Sequence, residues 1–218
     1  NIIENLKNVK LNILNICKRI NRDPSNINIV AVSKQQDMKI IKELLAFEHK
    51  CYGENRLEEA QKKWGLIKKE TLKLHYIGAL QSKKVKKIYE IFDVIETLDT
   101  ESAAEKIASC NVKNKKRFPK IFVQINLGGE IQKRGIPLPQ VEMFIKMCKE
   151  RFNLSINGAM CIPPMNSDPL PHFKSMKEIC TQNNLKNISM GMSGDYIEAI
   201  RYGSTNIRIG TSIFGSRK

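Results

Sequence analysis

Short runs of apolar, mostly β-branched residues alternate along the whole chain with longer segments whose apolar positions recur at helical spacing. Eight such runs read as strands, the first at 26–34 (NINIVAVSK) and the last at 206–215 (NIRIGTSIFG). One amphipathic segment, NIIENLKNVKLNILNICKRI, precedes them. Because strands that alternate with helices build parallel sheets, the pattern predicts an α/β fold: a single (β/α)8 TIM barrel domain over residues 1–218, with an extra N-terminal helix.

An open, doubly wound sheet is the alternative arrangement for this pattern. Its dinucleotide-binding form carries a Gly-x-Gly-x-x-Gly turn after the first strand, whereas the sequence VSKQ stands at 32–35. The open sheet thus loses its main support, and the closed barrel is the favoured prediction.

The formal net charge of +15 raises the alternative of a nucleic-acid partner. Two lysine clusters, at 82–87 (SKKVKK) and 112–118 (VKNKKRF), could contact phosphates. Aromatic residues are few and are not interleaved with these clusters, as a stacking platform for bases would require. A basic, RNA-associated barrel therefore ranks last among the functions considered, and nucleic acid is not the expected partner.

The six cysteines form no C-x-x-C pair, and none of the three histidines has a partner at metal-ligand spacing, so we expect no metal site. Scattered free thiols fit a reducing cytosol. Glu4, Lys7 and Lys10 interrupt the first segment, which therefore lacks the apolar core of a signal peptide. No run approaches the roughly 20 apolar residues that span a bilayer, and we expect a cytoplasmic protein without a membrane partner.

Hydroxyl residues and glycines crowd the ends of the last two predicted strands. Ser193 and Gly194 end the seventh strand, and Gly210, Thr211 and Ser212 follow the apolar part of the eighth. In (β/α)8 barrels these two loops are the usual place for phosphates, because backbone amides and hydroxyls converge there. The sequence predicts a phosphate site, with ordinary turn residues as the alternative.

Lys34 closes the first predicted strand, INIVAVSK, at the same rim of the barrel. Burial of a lysine favours its neutral amine, which can attack an aldehyde. The alternative is a side chain that simply extends to solvent. A lysine amine facing a phosphate site matches pyridoxal 5′-phosphate, which carries an aldehyde and a phosphate on one pyridine ring.

Arg208 lies two residues before Gly210, so the two residues share one face of the strand. If that face is the barrel interior, the guanidinium can reach the pyridine nitrogen. Arginine only donates hydrogen bonds, so this nitrogen would stay unprotonated and the ring would be a weak electron sink. The alternative role of Arg208 is an ion pair with Asp195 or Glu198.

Six motifs follow one another in order over nearly the whole chain: AVSK, YGEN, LHYIGALQSKK, QINLGGEIQKRGI, GAMCIP and SMGMSGDYIEAIRYGSTNIRIGTSIFGSR. Together they resemble the motifs of the pyridoxal phosphate homeostasis proteins, the YggS/PROSC family, which are similar to the N-terminal barrel of alanine racemase. The resemblance implies that Lys34 carries the cofactor as a covalent aldimine, that Ser193, Gly210 and Thr211 hold its phosphate, and that Arg208 faces its pyridine nitrogen.

Two residues within these motifs are further candidates for cofactor contact. Asn55 ends the second strand, where it could bond near the cofactor's phenolic oxygen or cap the following helix. His75 lies inside the third strand, where the role of a satisfied core histidine is favoured over cofactor contact. The chain departs from the family pattern at the expected pocket mouth, where Arg134 replaces the usual serine.

A racemase needs two bases, one on each face of the substrate α-carbon. In alanine racemase the second base is a tyrosine from another domain and subunit, and the tyrosines of this chain lie within predicted strands and helices. We therefore expect a monomer or weak homodimer that holds pyridoxal phosphate for intracellular vitamin B6 homeostasis and supplies it to pyridoxal phosphate-dependent apoenzymes, without strong catalysis. The alternative is a pyridoxal phosphate-dependent amino-acid racemase or weak lyase.

Overall fold

Eight parallel strands close into a barrel in the computed structural model of the chain, which describes residues 1–65, 67, 70, 72–114 and 117–216. Arg217 of the last motif, together with Lys115 and Lys116 of the second lysine cluster, lies outside the described residues. The barrel strands are β1 (Asn28–Val32), β2 (Cys51–Glu54), β3 (Lys73–Tyr76), β4 (Val94–Leu98), β5 (Lys120–Asn126), β7 (Gly158–Cys161), β8 (Asn187–Met192) and β9 (Asn206–Ile209).

Each barrel strand pairs in parallel with its neighbours along the chain, and two pairings close the ring. β1 pairs with β9, and β4 pairs with β5, so no edge is left between them. A two-residue strand, β6 (Ile136–Pro137), pairs with the end of β5. The predicted closed barrel of eight strands is confirmed, and β8 and β9 are its seventh and eighth strands.

Helices cover the outside of the barrel. The N-terminal helix is α1, and the helices that follow the strands alternate with them as predicted. Their bounds are α1 (Ile2–Arg19), α2 (Met38–Ala46), α3 (Leu57–Trp64), α4 (Val85–Ile91), α5 (Glu101–Lys113), α6 (Val141–Phe152), α7 (Leu170–Gln182), α8 (Tyr196–Arg201) and α9 (Thr211–Phe214).

The last predicted strand, 206–215, is wrong in its second half. The strand ends at Ile209, and the following residues form α9, because Gly210 adopts a non-extended conformation and its carbonyl accepts hydrogen bonds from the amides of Ile213 and Phe214. This change matters for the site, because a helix turn directs its first amides toward the strand end.

The extra helix α1 packs its apolar stripe, which includes Leu6, Val9 and Ile13, against the barrel's outer layer. This spacing places one side chain per turn on a single face. Asn5 donates from its side chain to the carbonyl of Ile213, which ties α1 to α9. The helix therefore closes the outer layer beside the last two strands.

Alternation along the strands separates an outer core from the barrel interior. In β9, Ile207 and Ile209 belong to the apolar core shared with the helices, so Arg208 between them points inward. Val30 of β1 is the register partner of Arg208 and is fully buried.

No helix in the described part of the chain is long and apolar enough to cross a membrane.

Candidate functional site

The turn that carries Lys34 directly follows β1 and is held by hydrogen bonds on both sides. The amide of Ser33 donates to the carbonyl of Gly53, and the amide of Gln35 donates to Glu59 Oε1 at 2.5 Å. Gln35 has a φ of 62°, the left-handed conformation that turns the chain sharply. The backbone of Lys34 is thereby fixed at the carboxyl end of β1, and its side chain is half-buried.

A buried carboxylate outside the barrel supports this turn. Glu54 Oε1 accepts hydrogen bonds from Ser33 Oγ at 2.6 Å and from the indole of Trp64 at 3.2 Å, and it lies 3.2 Å from Lys63 Nζ. Burial raises the pKa of Glu54, although the hydrogen bond from Ser33 and the charge of Lys63 act in the opposite direction. Glu54 and Lys63 therefore position the residue before Lys34 instead of facing the site themselves.

The predicted phosphate loops meet each other at the ends of β8 and β9. The amides of Gly210 and Ser212 converge on Ser193 Oγ at 3.3 and 3.1 Å, and the Ser212 hydroxyl donates to the Ser193 carbonyl at 3.4 Å. Two backbone amides from the start of α9 thus donate hydrogen bonds to the same oxygen atom. Thr211 is the first residue of α9 and is exposed beside them.

Glycines leave room for a ligand at these loops. A Cβ added at Gly194 would have no atom of the described residues within 4 Å, so an anion can approach the backbone there. A Cβ added at Gly210 would lie 3.8 Å from Val32 Cβ, its one neighbour within 4 Å in the part of the chain that the structure describes. Because Val32 precedes Lys34 by two residues, this contact places the Lys34 turn and the phosphate loops at the same end of the barrel.

Arg208 is almost fully buried inside the barrel. Its Nη1 donates to Ser189 Oγ and its Nη2 donates to the carbonyl of Cys161, both at 2.7 Å. These contacts do not include the alternative ion pair of Arg208 with Asp195 or Glu198. Asp195 instead accepts a hydrogen bond from the amide of Met192. The guanidinium is held inside the barrel, on the last strand before Gly210.

A chain of polar side chains continues from Arg208 across the barrel interior. Ser189 Oγ donates to Glu96 Oε2 at 2.5 Å, and Glu96 Oε1 lies 2.6 Å from His75 Nδ1. Burial acts against the ionised Glu96, but the hydrogen bond and charge of His75 and the charge of Arg208 outweigh it and lower its pKa. A carboxylate is thus kept charged in the barrel interior.

His75 lies toward the opposite end of the barrel from the phosphate loops. It lines a cavity of about 310 Å³ together with Asn28 and Asn206, which begin β1 and β9. Burial alone would lower the pKa of His75, but interactions with Cys51 and Glu96 outweigh it and raise the pKa to about 10. The structure therefore connects His75 to Arg208 indirectly and does not place it beside Lys34.

Asn55 follows β2 at the rim, two residues beyond Gly53, which pairs with Val32 of β1. Its role as a helix cap is not supported, because α3 has Arg56 at its N-cap and no capping side chain. A Cβ at Gly78 would lie 2.0 Å from the carbonyl oxygen of Asn55, so only glycine lets the loop after β3 pass this close. Asn55 is thus at the same end of the barrel as Lys34.

The departure at Arg134 has a structural consequence at the pocket mouth. Arg134 Nη2 donates to Asp99 Oδ1 at 2.8 Å and to the carbonyl of Leu80 at 3.3 Å, and the amide of Gly135 donates to Asp99 Oδ2 at 3.1 Å. These bonds join the loops that follow β3, β4 and β5. Burial raises the pKa of Asp99, against the opposing charge of Arg134.

The first lysine cluster lies away from this site, on the outer surface. Lys83 and Lys86 line a groove of about 520 Å³ with Lys106 and Lys113 of α5. Among the residues with described coordinates, no three His, Cys, Asp or Glu side chains form a group that could hold a metal ion.

Comparison with known proteins gives matches over the whole chain. The family model for the alanine racemase N-terminal domain matches residues 5–218. A pyridoxal phosphate homeostasis protein from Aquifex aeolicus is 33% identical over 227 residues, covering 100% of this chain and 99% of that protein. Another from Schizosaccharomyces pombe is 35% identical over 204 residues, covering 88% of this chain and 85% of that protein.

Solved structures agree with these matches. PipY from Synechococcus elongatus PCC7942 superposes with a TM-score of 0.84 at 28% identity, covering 99% of this chain and 100% of PipY. PipY has also been solved with PLP bound, and that structure gives a TM-score of 0.83. An alanine racemase from Clostridium difficile 630, at 13% identity and a TM-score of 0.69, covers 95% of this chain and 56% of the racemase, and it shows the shared fold alone.

Proposed function

This chain belongs to the family of pyridoxal phosphate homeostasis proteins, and we propose on that premise that it binds pyridoxal 5′-phosphate at the carboxyl end of its barrel. The observation that carries the proposal is the meeting of two loops at Ser193, where the amides of Gly210 and Ser212 surround one oxygen atom. Such a group of amides suits a phosphate. PipY, a protein of the same fold and length, has been solved with this cofactor.

The residues at the barrel mouth fit the cofactor's other groups. The open space beside Gly194 allows close approach of an anion, and the Lys34 turn lies at the same end of the barrel. The buried guanidinium of Arg208 offers N–H donors to an unprotonated ring nitrogen. Asn55 and Thr211 complete the set that we propose around the cofactor.

We further propose that Lys34 holds the cofactor covalently. Its Nζ, when unprotonated, would bond to the aldehyde carbon; both N–H protons would leave with the aldehyde oxygen as water, and a C=N bond would remain. The fixed backbone on both sides of Lys34 supports this role, because it limits the positions that the amine can reach. The cofactor supplies electron-withdrawing chemistry when bound, and an arginine at its ring nitrogen limits that chemistry.

We propose a role in cofactor supply without amino-acid turnover. Its curated relatives are called homeostasis proteins, and the racemase and decarboxylase structures resemble this chain in fold alone. In this role the protein would hold the cofactor in the cell and release it to apoenzymes that depend on it. The racemase or weak-lyase alternative is supported by the match to the alanine racemase N-terminal domain and by the shared fold.

The test begins with the purified protein and one equivalent of pyridoxal phosphate. We expect a visible absorbance band from the lysine-linked, conjugated cofactor, its loss after borohydride reduction, and a reduced adduct that peptide mass spectrometry locates on Lys34. A loaded sample should then activate an apoenzyme that requires the cofactor. Absence of binding, or an adduct on another lysine at full stoichiometry, would contradict the proposal.

A further inference from the structure

The buried series of hydrogen bonds from Arg208 to His75 has a fixed donor and a fixed acceptor in each bond. Arg208 can only donate hydrogen bonds, so Ser189 Oγ must accept from Nη1 of Arg208. The single proton of the Ser189 hydroxyl is then left for Glu96 Oε2, at 2.5 Å. On the other side, the ionised Glu96 can only accept, so His75 Nδ1 donates to it at 2.6 Å. Glu96 therefore receives a hydrogen bond from each side.

The charge distribution requires a role for Glu96. A guanidinium that is 4% exposed needs a compensating negative charge, yet both direct partners of Arg208, the Ser189 hydroxyl and the Cys161 carbonyl, are neutral. Glu96 is fully buried and lies one hydroxyl group away, and its charge interacts with those of both Arg208 and His75, which it contacts directly. Glu96 is thus the buried negative charge that the described contacts link to Arg208.

We infer that Glu96 is a positioning residue for the cofactor site, which orients the guanidinium of Arg208 through the hydroxyl of Ser189. The inference rests on the proposed function, since Arg208 is the residue proposed to face the ring nitrogen. Two anchored Nη groups fix the plane of the guanidinium, and loss of one anchor lets it turn. Sequence reasoning did not single out Glu96 or Ser189.

Single variants test whether this buried series of hydrogen bonds affects cofactor binding. Glu96→Gln keeps the side-chain volume but removes the charge, and Ser189→Ala removes the connecting hydroxyl. We expect each to weaken pyridoxal phosphate binding about tenfold, the order of one hydrogen bond to a charged group. The matched control is Thr97→Val, because Thr97 adjoins Glu96 in β4 and its buried hydroxyl has no hydrogen-bond partner among the described residues. It should bind within twofold of the parent protein.

A double-variant cycle separates positioning from a general effect on packing. If Glu96 acts through Arg208, then Glu96→Gln should change cofactor affinity by less than twofold when Arg208→Ala is already present. A second readout is the ¹⁵N NMR shift of cofactor labelled at its ring nitrogen. In Glu96→Gln this shift should vary more with pH than in the parent protein, because a misaligned Arg208 leaves the nitrogen free to take a proton.

The outcomes distinguish the two proposals. If the parent protein does not bind pyridoxal phosphate, the proposed function fails. If the parent binds and Glu96→Gln binds equally well, or if Glu96→Gln loses tenfold even without Arg208, the positioning role alone is overturned. Thermal unfolding of each variant without cofactor checks folding. Should Glu96→Gln not fold, Ser189→Ala alone decides: parent-like affinity and an unchanged ¹⁵N shift would overturn the inference.

Discussion

Lys63 Nζ lies 2.5 Å from the carbonyl oxygen of Ser33, the residue immediately before Lys34. The same ammonium lies 2.5 Å from Glu59 Oε1. That oxygen also accepts a hydrogen bond from the amide of Gln35, on the other side of Lys34. One residue of α3 therefore joins the contacts that fix both neighbours of the proposed cofactor-binding lysine. The geometry of the site depends on a side chain that does not face the site.

The first prediction concerns this support. Replacing Lys63 with methionine keeps most of the side-chain volume but removes the charge, so the Ser33 carbonyl and buried Glu54 lose a partner. We expect the free energy of unfolding to fall by about 1–3 kcal/mol and the rate of covalent cofactor attachment to fall on the order of tenfold. Denaturant titration and stopped-flow absorbance measure the two effects.

Lys62→Met is the matched control for that variant, because Lys62 is exposed on the same helix. It should match the parent protein in both measurements. Equal attachment rates for Lys63→Met and the parent would show that the turn keeps its geometry without this contact.

The second prediction concerns covalent attachment. Lys34→Ala should abolish the borohydride-reducible adduct, while the phosphate loops still bind the cofactor reversibly. The measurement is adduct stoichiometry by intact-protein mass spectrometry after reduction. Lys39→Ala, at an exposed position in α2, serves as the control and should retain one adduct per chain. A Lys34→Ala sample with a full equivalent of adduct would refute the assignment.

Much of this arrangement was predictable from the sequence, and some was not. Apolar runs mark the strands, so the barrel, and the placement of Lys34 at the same end of it as the loops after β8 and β9, followed from topology. The helix at 211–214 was missed, because Ile213 and Phe214 continue the apolar pattern and kept the strand prediction running past the turn residues at 210–212.

Glu96 and Ser189 were missed for a different reason. Each is a polar residue inside a mostly apolar strand, and their meeting is a contact between residues 93 positions apart. Periodicity indicates which face of a strand a residue shares, but it does not indicate which partner lies across the barrel. The one available signal was a glutamate within the buried run VIETL, since an unpaired buried charge is costly.

The third prediction tests the phosphate loops. Ser193→Ala removes the oxygen atom that accepts from the amides of Gly210 and Ser212, which loosens the contact between the two loops. We expect affinity for pyridoxal phosphate to fall about tenfold, with little change in the weaker binding of pyridoxal, which has no phosphate. Ser216→Ala, at an exposed position, is the control. An equal loss for both ligands would contradict a phosphate-specific role.

The fourth prediction concerns pH. The pKa of His75 is raised to about 10 from an ordinary value of 6.5, so its protonation stabilises the fold. This contribution is complete below pH 6.5 and is lost as the pH rises through 10. The difference in unfolding free energy between the parent and His75→Gln should therefore narrow from pH 6.5 to pH 10.

Denaturant titrations of both proteins across this range measure the difference. Subtraction removes the shared effect of buried thiols such as Cys148, whose pKa is raised by burial to about 12. His49 provides an internal contrast, because burial lowers its pKa to about 4. At pH 7, ¹⁵N NMR should find His75 doubly protonated and His49 neutral. A difference that stays constant over the whole range would contradict the assignment of charge to His75.

The last prediction concerns catalysis at the substrate α-carbon. Removal of that proton needs a base on each face for racemisation and an electron-poor ring to stabilise the product. Three tyrosine hydroxyls are already engaged outside the proposed site: Tyr52 donates to the carbonyl of His49, Tyr76 to that of Ala79 and Tyr89 to Asn111. Arg208 at the ring nitrogen would also withhold the proton that makes the ring a strong electron sink.

We expect exchange of the α-hydrogen of alanine and serine in D₂O to be far slower than about 1 per second, the low end of typical enzymatic turnover. Proton NMR on cofactor-saturated protein measures this exchange. Loss of one base alone lowers a rate by roughly 10²–10⁴, so Lys34→Ala should abolish any slow exchange that remains. Exchange at an ordinary enzymatic rate would identify the protein as a racemase or lyase and reject the role in cofactor supply alone.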